Sequence, residues 1–210
     1  CDPADTNFVA DQNARLSGGN PSGSAYCNQR NHVTKDVAID PGQRGEMFVE
    51  AGCSDVRTYI QSGNVVFTAK ESVARRVSAR ISGAILDSFG LRVPVVTRTA
   101  AELRDVAHQN PFLRAGPDTG TLHVAFLADL PGPAKLAKLD PKRSPPDEFV
   151  VRDREIYLRC PNGVARTKLT NSYFDSQLGT ISTVRNWRTV LRLLEATTTA
   201  RAATRPVAHR

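Results

Sequence analysis

Two amide side chains lie on either side of a small polar bend in the stretch TYIQSGNVVF, residues 58–67. Gln61 and Asn64 each carry a hydrogen-bond donor and an acceptor, so both could hold a ligand in a cleft. The alternative is a plain β-hairpin turn, because Gly63 adopts a positive φ at low cost and Ser62 and Asn64 bond to the local backbone. Both interpretations of this stretch stay open.

A second stretch, PNGVARTKLTN at residues 161–171, favours binding of an anion. Its Asn-Gly pair predicts a turn, and the pattern then predicts a helix near 165–177 with Arg166 and Lys168 close to its N-terminus. Helix N-termini present free N–H groups and a partial positive charge, which attract phosphates. An exposed face of solvated cations is the alternative interpretation.

A third stretch, STVRNWRTVLRLLE at residues 182–195, adds more cations beside the amide of Asn186. We interpret residues 183–196 as a helix, which places three arginines on one stripe and Trp187 in the core on the opposite stripe. The segment 159–192 contains 6 basic residues and one acidic residue. Such a surface could follow phosphates, and a solvated helix face is the alternative. The three arginines are Arg185, Arg188 and Arg192.

The distribution of charge agrees with an anionic partner. The 210 residues carry a net charge of +7. Residues 1–42 hold 3 basic and 5 acidic residues, whereas residues 111–210 hold 16 basic and 9 acidic residues. The positive charge therefore lies in the second half of the chain, where it would attract a nucleotide or a nucleic acid.

Patterns that would identify an enzyme are absent from the sequence. There is no P-loop, no Gly-x-Gly-x-x-Gly dinucleotide motif and no Gly-x-Ser-x-Gly nucleophile motif. His108 and His123 are isolated, so we expect structural roles for both. The four cysteines form no close pair, so we expect separate thiols, no metal site and no cofactor. Enzymatic activity is left open.

The composition predicts a cytoplasmic protein. Hydrophobic residues make up 40% of the chain and charged residues 23%, which is typical of a globular fold. No apolar run is long enough to span a bilayer, and no signal peptide is recognisable, so no contact with a membrane is expected. Nothing in the sequence predicts the oligomeric state.

The hydrophobic pattern predicts two successive halves in an α+β fold. In the first half, a helix ends at Gly52, a hairpin follows, and residues 71–89 form an amphipathic helix with an apolar residue at every fourth position. The second half repeats this order, with strands at 121–128, 148–152 and 155–159. Each half approximates the βαββαβ order of ferredoxin-like folds, and we expect the two halves to pack together.

Five motifs in this order resemble a bacterial family, domain-of-unknown-function family 1697, over about residues 45–196. The resemblance implies the fold and names no reaction. Members of that family usually open with an apolar strand and a polar RGINVGG stretch, which are not found in residues 1–42, so the first half is expected to lack a clear first strand. The motifs are VRTYIQSGNVVF (56–67), NPF (110–112), LHVAFL (122–127), PNGVARTKLTN (161–171) and LGTISTVRNWRTVLRLLE (178–195).

We therefore predict an atypical, poorly ordered segment at 1–42, two halves at 43–110 and 111–196, and a frayed tail at 197–210. The favoured function is a binding protein for a phosphate-bearing ligand, which uses the basic segment 159–192. One alternative is an enzyme with a polar pocket between the halves, and another is a purely structural or interaction module. The candidate ligand-binding residues are Gln61, Asn64, Arg166, Lys168, Arg185 and Asn186.

Overall fold

The computed structural model describes residues 5–11, 39–59, 63–116 and 118–203, which form an α+β fold with two four-stranded antiparallel sheets. The first sheet has the strand order β2-β3-β1-β4, and two helices connect its strands. These elements are β1 (Asp5–Asp11), α1 (Pro41–Glu50), β2 (Ser54–Tyr59), β3 (Asn64–Ala69), α2 (Glu71–Phe89) and β4 (Val95–Thr99).

The second sheet repeats the order of the first, because its strands are arranged β6-β7-β5-β8. A helix, α3 (Ala100–Gln109), and two short 3-10 turns lead into this sheet, and a long helix follows its last strand. The remaining elements are β5 (Leu122–Leu127), α4 (Pro133–Leu136), β6 (Glu148–Arg152), β7 (Glu155–Arg159), α5 (Asn171–Leu178), β8 (Ser182–Asn186) and α6 (Trp187–Ala203).

Local sequence signals account for several of these elements. The predicted amphipathic helix at residues 71–89 is confirmed, since Val77, Ile81 and Ile85 of α2 are buried. Gly90 ends α2 with a φ of 68°, in the left-handed region where glycine lacks the steric penalty of a side chain. The strands predicted at 148–152 and 155–159 are also confirmed as β6 and β7.

The first sheet contains a central strand that the sequence patterns do not suggest. β1 pairs with β3 on one side and with β4 on the other, so the prediction that the first half lacks a clear first strand is wrong. The stretch TNFVA in β1 is short and has polar residues around it, so the local pattern does not predict a strand. Hydrogen bonds to the two neighbouring strands stabilise β1. Residues 1–4 and 12–38, most of the segment predicted to be poorly ordered, lie outside the described part of the chain.

Two helix predictions in the second half are wrong. The helix α5 begins at Asn171, where the side chain of Thr170 caps it, so Arg166 and Lys168 precede the helix and do not belong to its first turn. Residues 182–186 form β8, paired with β5, where a helix was predicted from residue 183. The helix starts only at Trp187, so Arg185 does not share a helical stripe with the later arginines.

The described residues form three clusters of buried side chains, one between the sheets and one on the outer side of each. Successive side chains of β3 point to opposite faces of the sheet and so enter different clusters. Val66 belongs to the central cluster, while Val65 and Phe67 belong to the cluster beside α1 and α2. The central cluster also takes residues from α3 and α6, including Leu103, Val106, Trp187, Val190 and Leu193. The third cluster joins β5 and β7 to α5.

Arg98 joins the two sheets through a buried side chain, which is 1% exposed. From β4 its Nε donates to the carboxylate of Glu155 at 2.7 Å. Its Nη2 donates to the backbone carbonyls of Leu127 at 2.7 Å and Arg154 at 2.9 Å. A buried cation is costly unless its donors are paired. The Nη1 of Arg98 donates to the carbonyl of Thr97 on its own strand at 2.8 Å, but the other three acceptors belong to the second half of the chain, so this contact fixes how the sheets are placed.

The first prediction concerns Arg98. Arg98→Met should lower the free energy of unfolding by about 3–5 kcal/mol, because Glu155 loses its buried cationic partner. The measurement is urea denaturation. Arg75→Met is the matched control, since Arg75 makes an exposed ion pair with Glu71 on α2 and should cost less than about 0.5 kcal/mol. Equal losses for the two variants would contradict the assignment.

The second prediction concerns Glu102, which accepts a hydrogen bond from the N–H of Thr99 and is paired with Arg154 in the turn between β6 and β7. Burial alone would raise the pKa of Glu102, but the bonds from Thr99 and the charge of Arg154 outweigh it and hold this pKa below its ordinary value of 4.5. A carboxyl group whose pKa is lower in the folded protein than in the unfolded chain stabilises the fold at pH values above its ordinary pKa. This contribution is lost as the pH falls through the folded-state pKa.

We therefore expect the free energy of unfolding to fall as the pH drops below 4.5, and to fall less steeply in Glu102→Gln. Urea denaturation at a series of acidic pH values measures both profiles. If Glu102→Gln lost stability as steeply as the unaltered protein over this range, Glu102 would not be a source of the acid sensitivity.

Candidate functional site

The structure separates the residues predicted to bind a ligand. Gln61 lies outside the described residues. Asn64 and Arg185 meet in the interior between the two sheets, and Asn186 lies at the end of β8. Arg166 and Lys168 are exposed in the loop before α5, on the outer side of the second sheet. The described members of the set therefore fall in more than one place.

Asn64 and Arg185 form a direct buried contact. Asn64 is fully buried, and Arg185 is 9% exposed. The Nε of Arg185 donates to the Oδ1 of Asn64 at 2.6 Å, while its Nη1 donates to the Oγ1 of Thr183 at 2.7 Å. Two side chains that were candidates for holding a ligand thus hold each other.

This contact is the counterpart of the Arg98 contact. Arg98 is the fourth residue of β4 and reaches the first residue of β7, Glu155. Arg185 is the fourth residue of β8 and reaches the first residue of β3, Asn64. Since β4 and β8 occupy equivalent places in their sheets, the two arginines are related by the repeat of the fold. We call Arg98 and Arg185 the inter-sheet arginines.

Asn186 caps the last helix. Its Oδ1 accepts a hydrogen bond from the backbone N–H of Thr189 at 2.8 Å, as an N-cap asparagine does. The next residue, Trp187, is 3% exposed in the central cluster, which confirms the prediction that it belongs to the core. The RNW sequence thus marks the end of a strand and the start of a helix.

Arg166 and Lys168 lie beside a second loop, residues 138–144, which is distant from them in sequence. Ser144 is buried between the two loops; its Oγ donates to Asp147 at 2.7 Å and accepts from the backbone N–H of Lys168 at 2.9 Å. The Nε of Arg143 donates to the carbonyl of Lys168 at 3.2 Å. We call these two segments, residues 138–144 and 164–169, the paired loops.

Five cations on the paired loops are exposed, and the carboxylates beside them are engaged. Asp140 accepts from the backbone N–H of Lys142 at 2.8 Å, and the buried Asp147 is bonded to Ser144. The prediction named only two of these cations, although the KLAKLDPKR run at 135–143, with four cations in nine residues, was a signal for the others. The five are Lys138, Lys142, Arg143, Arg166 and Lys168.

The other cations of the segment 159–192 are distributed differently. Arg159 forms an ion pair with Glu148, Arg192 forms one with Glu195 at 2.9 Å, and Arg185 is buried. Arg188 is exposed on α6. The cations of the segment 159–192, predicted to form a basic surface, are therefore divided among ion pairs, the interior and separate exposed positions.

An open groove of about 640 Å³ runs beside the first turns of α6. Arg188 and Arg192 line it together with Asp118 and Glu195, so its charged side chains balance. His123, 8% exposed, also lines this groove, and its Nδ1 lies 3.3 Å from the carbonyl oxygen of Thr121. The groove contains no residue of the paired loops.

The two thiols in the described part of the chain are buried and unsuited to nucleophilic chemistry. Burial raises the pKa of Cys53 to about 11, despite an opposing effect of Arg80. Burial and the charge of Asp147 raise the pKa of Cys160 to about 11, despite an opposing bond with Thr167. Both cysteines are unbridged. A thiol with such a pKa supplies almost no thiolate near neutral pH, so neither cysteine is a candidate nucleophile.

Within residues 5–11, 39–59, 63–116 and 118–203, no group of three or more His, Cys, Asp or Glu side chains is placed to hold a metal ion. In the same part of the chain, no helix combines the length and the apolar composition needed to cross a membrane.

Comparison with known proteins agrees with the fold. The model of a family described as a protein of unknown function, DUF1697, matches residues 39–157. No curated protein matches the chain. The structure of a conserved bacterial protein from Streptococcus pneumoniae superposes with a TM-score of 0.64, covering 93% of this chain and 99% of that one at 13% identity. At this identity the likeness shows the fold alone.

The third prediction tests the structural role of Asn64. Asn64→Ala removes the acceptor of the Arg185 Nε, so it should lower the free energy of unfolding by about 1–3 kcal/mol. Urea denaturation measures the loss. Asn162→Ala, at an exposed turn, is the control and should change stability by less than about 0.5 kcal/mol. An unchanged stability in Asn64→Ala would argue against the inter-sheet contact.

Proposed function

This chain belongs to the DUF1697 family of proteins of unknown function, and on that premise we propose that it is a cytoplasmic binding protein for a phosphate-bearing ligand, a nucleotide or a nucleic acid. The site we assign to this ligand is the pair of loops at residues 138–144 and 164–169. One observation carries the proposal. Two segments that are distant in sequence are held side by side, and together they expose five cations.

The chemistry of the paired loops suits phosphate groups. Lysine and arginine bind phosphate oxygens, and the counterions that they displace make the binding favourable at low salt. The two nearby carboxylates already accept hydrogen bonds inside the loops, from the N–H of Lys142 and from Ser144. Six cations and two carboxylates lie in residues 133–147 and 161–169, a surplus of positive charge on this face.

The hydrogen bonds below the loops also support the proposal. Ser144 is 7% exposed and contacts both the carboxylate of Asp147 and the backbone of Lys168, while Thr167 lies 3.4 Å from it. Groups held in place before a ligand arrives lose less conformational entropy when they bind it. These bonds hold the two backbone segments that carry the exposed cations, and we infer that the resulting cluster suits a ligand with more than one phosphate.

The same repeat of elements supports a finer description of the fold. Strand orders β2-β3-β1-β4 and β6-β7-β5-β8, each with two connecting helices, are those expected of two ferredoxin-like halves. We propose this arrangement, with the predicted halves at 43–110 and 111–196 and with β1 added to the first. The paired loops then lie on the outer side of the second half.

The alternative of an enzyme with a pocket between the halves has less support among the described residues. Asn64 and Arg185 bond to each other, and the amide oxygen of Asn186 caps a helix. The remaining alternative, a structural or interaction module, assigns no ligand to the five exposed cations. It predicts that the protein binds neither probe in the following experiment.

The fourth prediction is that charge reversal at the paired loops weakens binding. Fluorescence anisotropy would measure binding of a labelled oligonucleotide and a labelled ATP analogue at low and moderate salt. The triple variant Lys142→Glu, Arg166→Glu, Lys168→Glu should bind at least about tenfold more weakly than the unaltered protein, because three phosphate contacts become repulsive.

The control is a triple variant with the same change of charge at exposed cations around α2, Lys70→Glu, Arg76→Glu, Arg92→Glu. It should keep its affinity, and circular dichroism should show both variants folded. The proposal fails if the unaltered protein binds neither probe, or if the control loses as much affinity as the loop variant.

A further inference from the structure

We infer that the ligand of the paired loops is double-stranded nucleic acid, contacted along its phosphate backbone without stacking of bases; this inference rests on the proposed function and narrows it. Three features of the described residues lead to it. The aromatic side chain beside the loops is buried, the groove beside α6 does not include the loops, and the cations are divided between two segments.

Among the described residues, the aromatic side chain that contacts the paired loops is not available for stacking. The loop segments themselves contain no Phe, Tyr or Trp. The aromatic residue next to them, Tyr173, is 8% exposed, and its hydroxyl accepts a hydrogen bond from the backbone N–H of Asp140 at 2.8 Å. The guanidinium of Arg143 lies over its ring, 4.2 Å from the centroid. The tyrosine thus supports the loops from below.

This arrangement disfavours single strands. Proteins that bind single-stranded nucleic acid combine a basic path with aromatic side chains, and each stacked base contributes about 1–3 kcal/mol. A surface that offers cations alone gains nothing from unstacked bases. It does gain from charge density, which is high in a duplex at about one negative charge per 1.7 Å of helix axis.

The shape of the site disfavours a single nucleotide. Binding sites for small molecules are concave and bury about 70–90% of the ligand surface. The groove of about 640 Å³ beside α6 has this concave form, but none of its lining residues belongs to the paired loops. The cations of the loops are exposed side chains on two adjoining segments, so they suit a ligand whose phosphates recur along a surface.

The separation of the cations gives the inference a quantitative form. Lys142 and Arg143 come from one loop, and Arg166 and Lys168 come from the other, and we assign one phosphate contact to each of these four side chains. For four contacts, the slope of log affinity against log salt on a B-form duplex would be about −3.6, and each contact removed would reduce its magnitude by about 0.9.

The experiment compares five probes by fluorescence anisotropy on the intact chain: a DNA duplex, the RNA duplex of the same sequence, the matching single strand, a duplex of scrambled sequence, and a labelled ATP analogue. We expect at least one duplex to bind at least as tightly as the single strand and more than tenfold more tightly than the ATP analogue. The scrambled duplex should bind within about twofold of the original, since phosphate contacts carry no sequence information.

Single substitutions test the site itself. Lys142→Ala and Arg166→Ala should each reduce the salt slope on the duplex by about 0.9, whereas Arg76→Ala on α2 should leave it unchanged. Thermal melting checks that each variant is folded.

The outcomes separate this inference from the proposed function. If the single strand or the ATP analogue binds more tightly than every duplex, and the loop variants weaken that binding, the inference is wrong and the proposed function stands. If no probe binds, both fail. If a duplex binds but Lys142→Ala and Arg166→Ala leave the slope unchanged, the duplex uses another surface and the inference is overturned.

Discussion

Two buried guanidinium groups, each bonded to an acceptor on the opposite sheet, are the contacts on which the arrangement of this fold depends. A hydrophobic core tolerates small displacements, because apolar contact has no direction. A buried guanidinium does not, because every donor without an acceptor costs free energy. Arg98 reaches Glu155 and two backbone carbonyls, and Arg185 reaches Asn64. These directional bonds set the relation between the sheets, and the central apolar cluster fills the space around them.

This constraint explains why polar residues that look suited to a ligand do not form an open site between the sheets. Asn64 faces inwards on β3 beside Val66, at a strand end where a polar cleft was a reasonable expectation. The arginine from β8 bonds to its amide oxygen instead. Asn186, one residue after that arginine, caps α6. Polar side chains in a motif can thus be required by the packing of the fold, with no ligand involved.

The outer side of the second sheet has a different organisation. There the polar hydrogen bonds are local and join two loops, with Ser144 buried between Asp147 and the backbone of Lys168. The cations attached to these loops are exposed. The inter-sheet arginines therefore hold the two sheets together, whereas the cations of the proposed binding surface are exposed to solvent.

The amino-acid sequence by itself determined the elements whose causes are local. The four-residue apolar spacing of α2, the glycine that ends it, and the strands β6 and β7 with Asp153 between them all follow from neighbouring residues. Only the tertiary structure decided the rest. β1 depends on partners on both sides, β8 displaces a helical pattern because β5 pairs with it, and Arg185 meets Asn64 across 121 positions of sequence. Periodicity cannot predict such contacts, because the hydrogen bonds that stabilise them join segments that are distant in the chain.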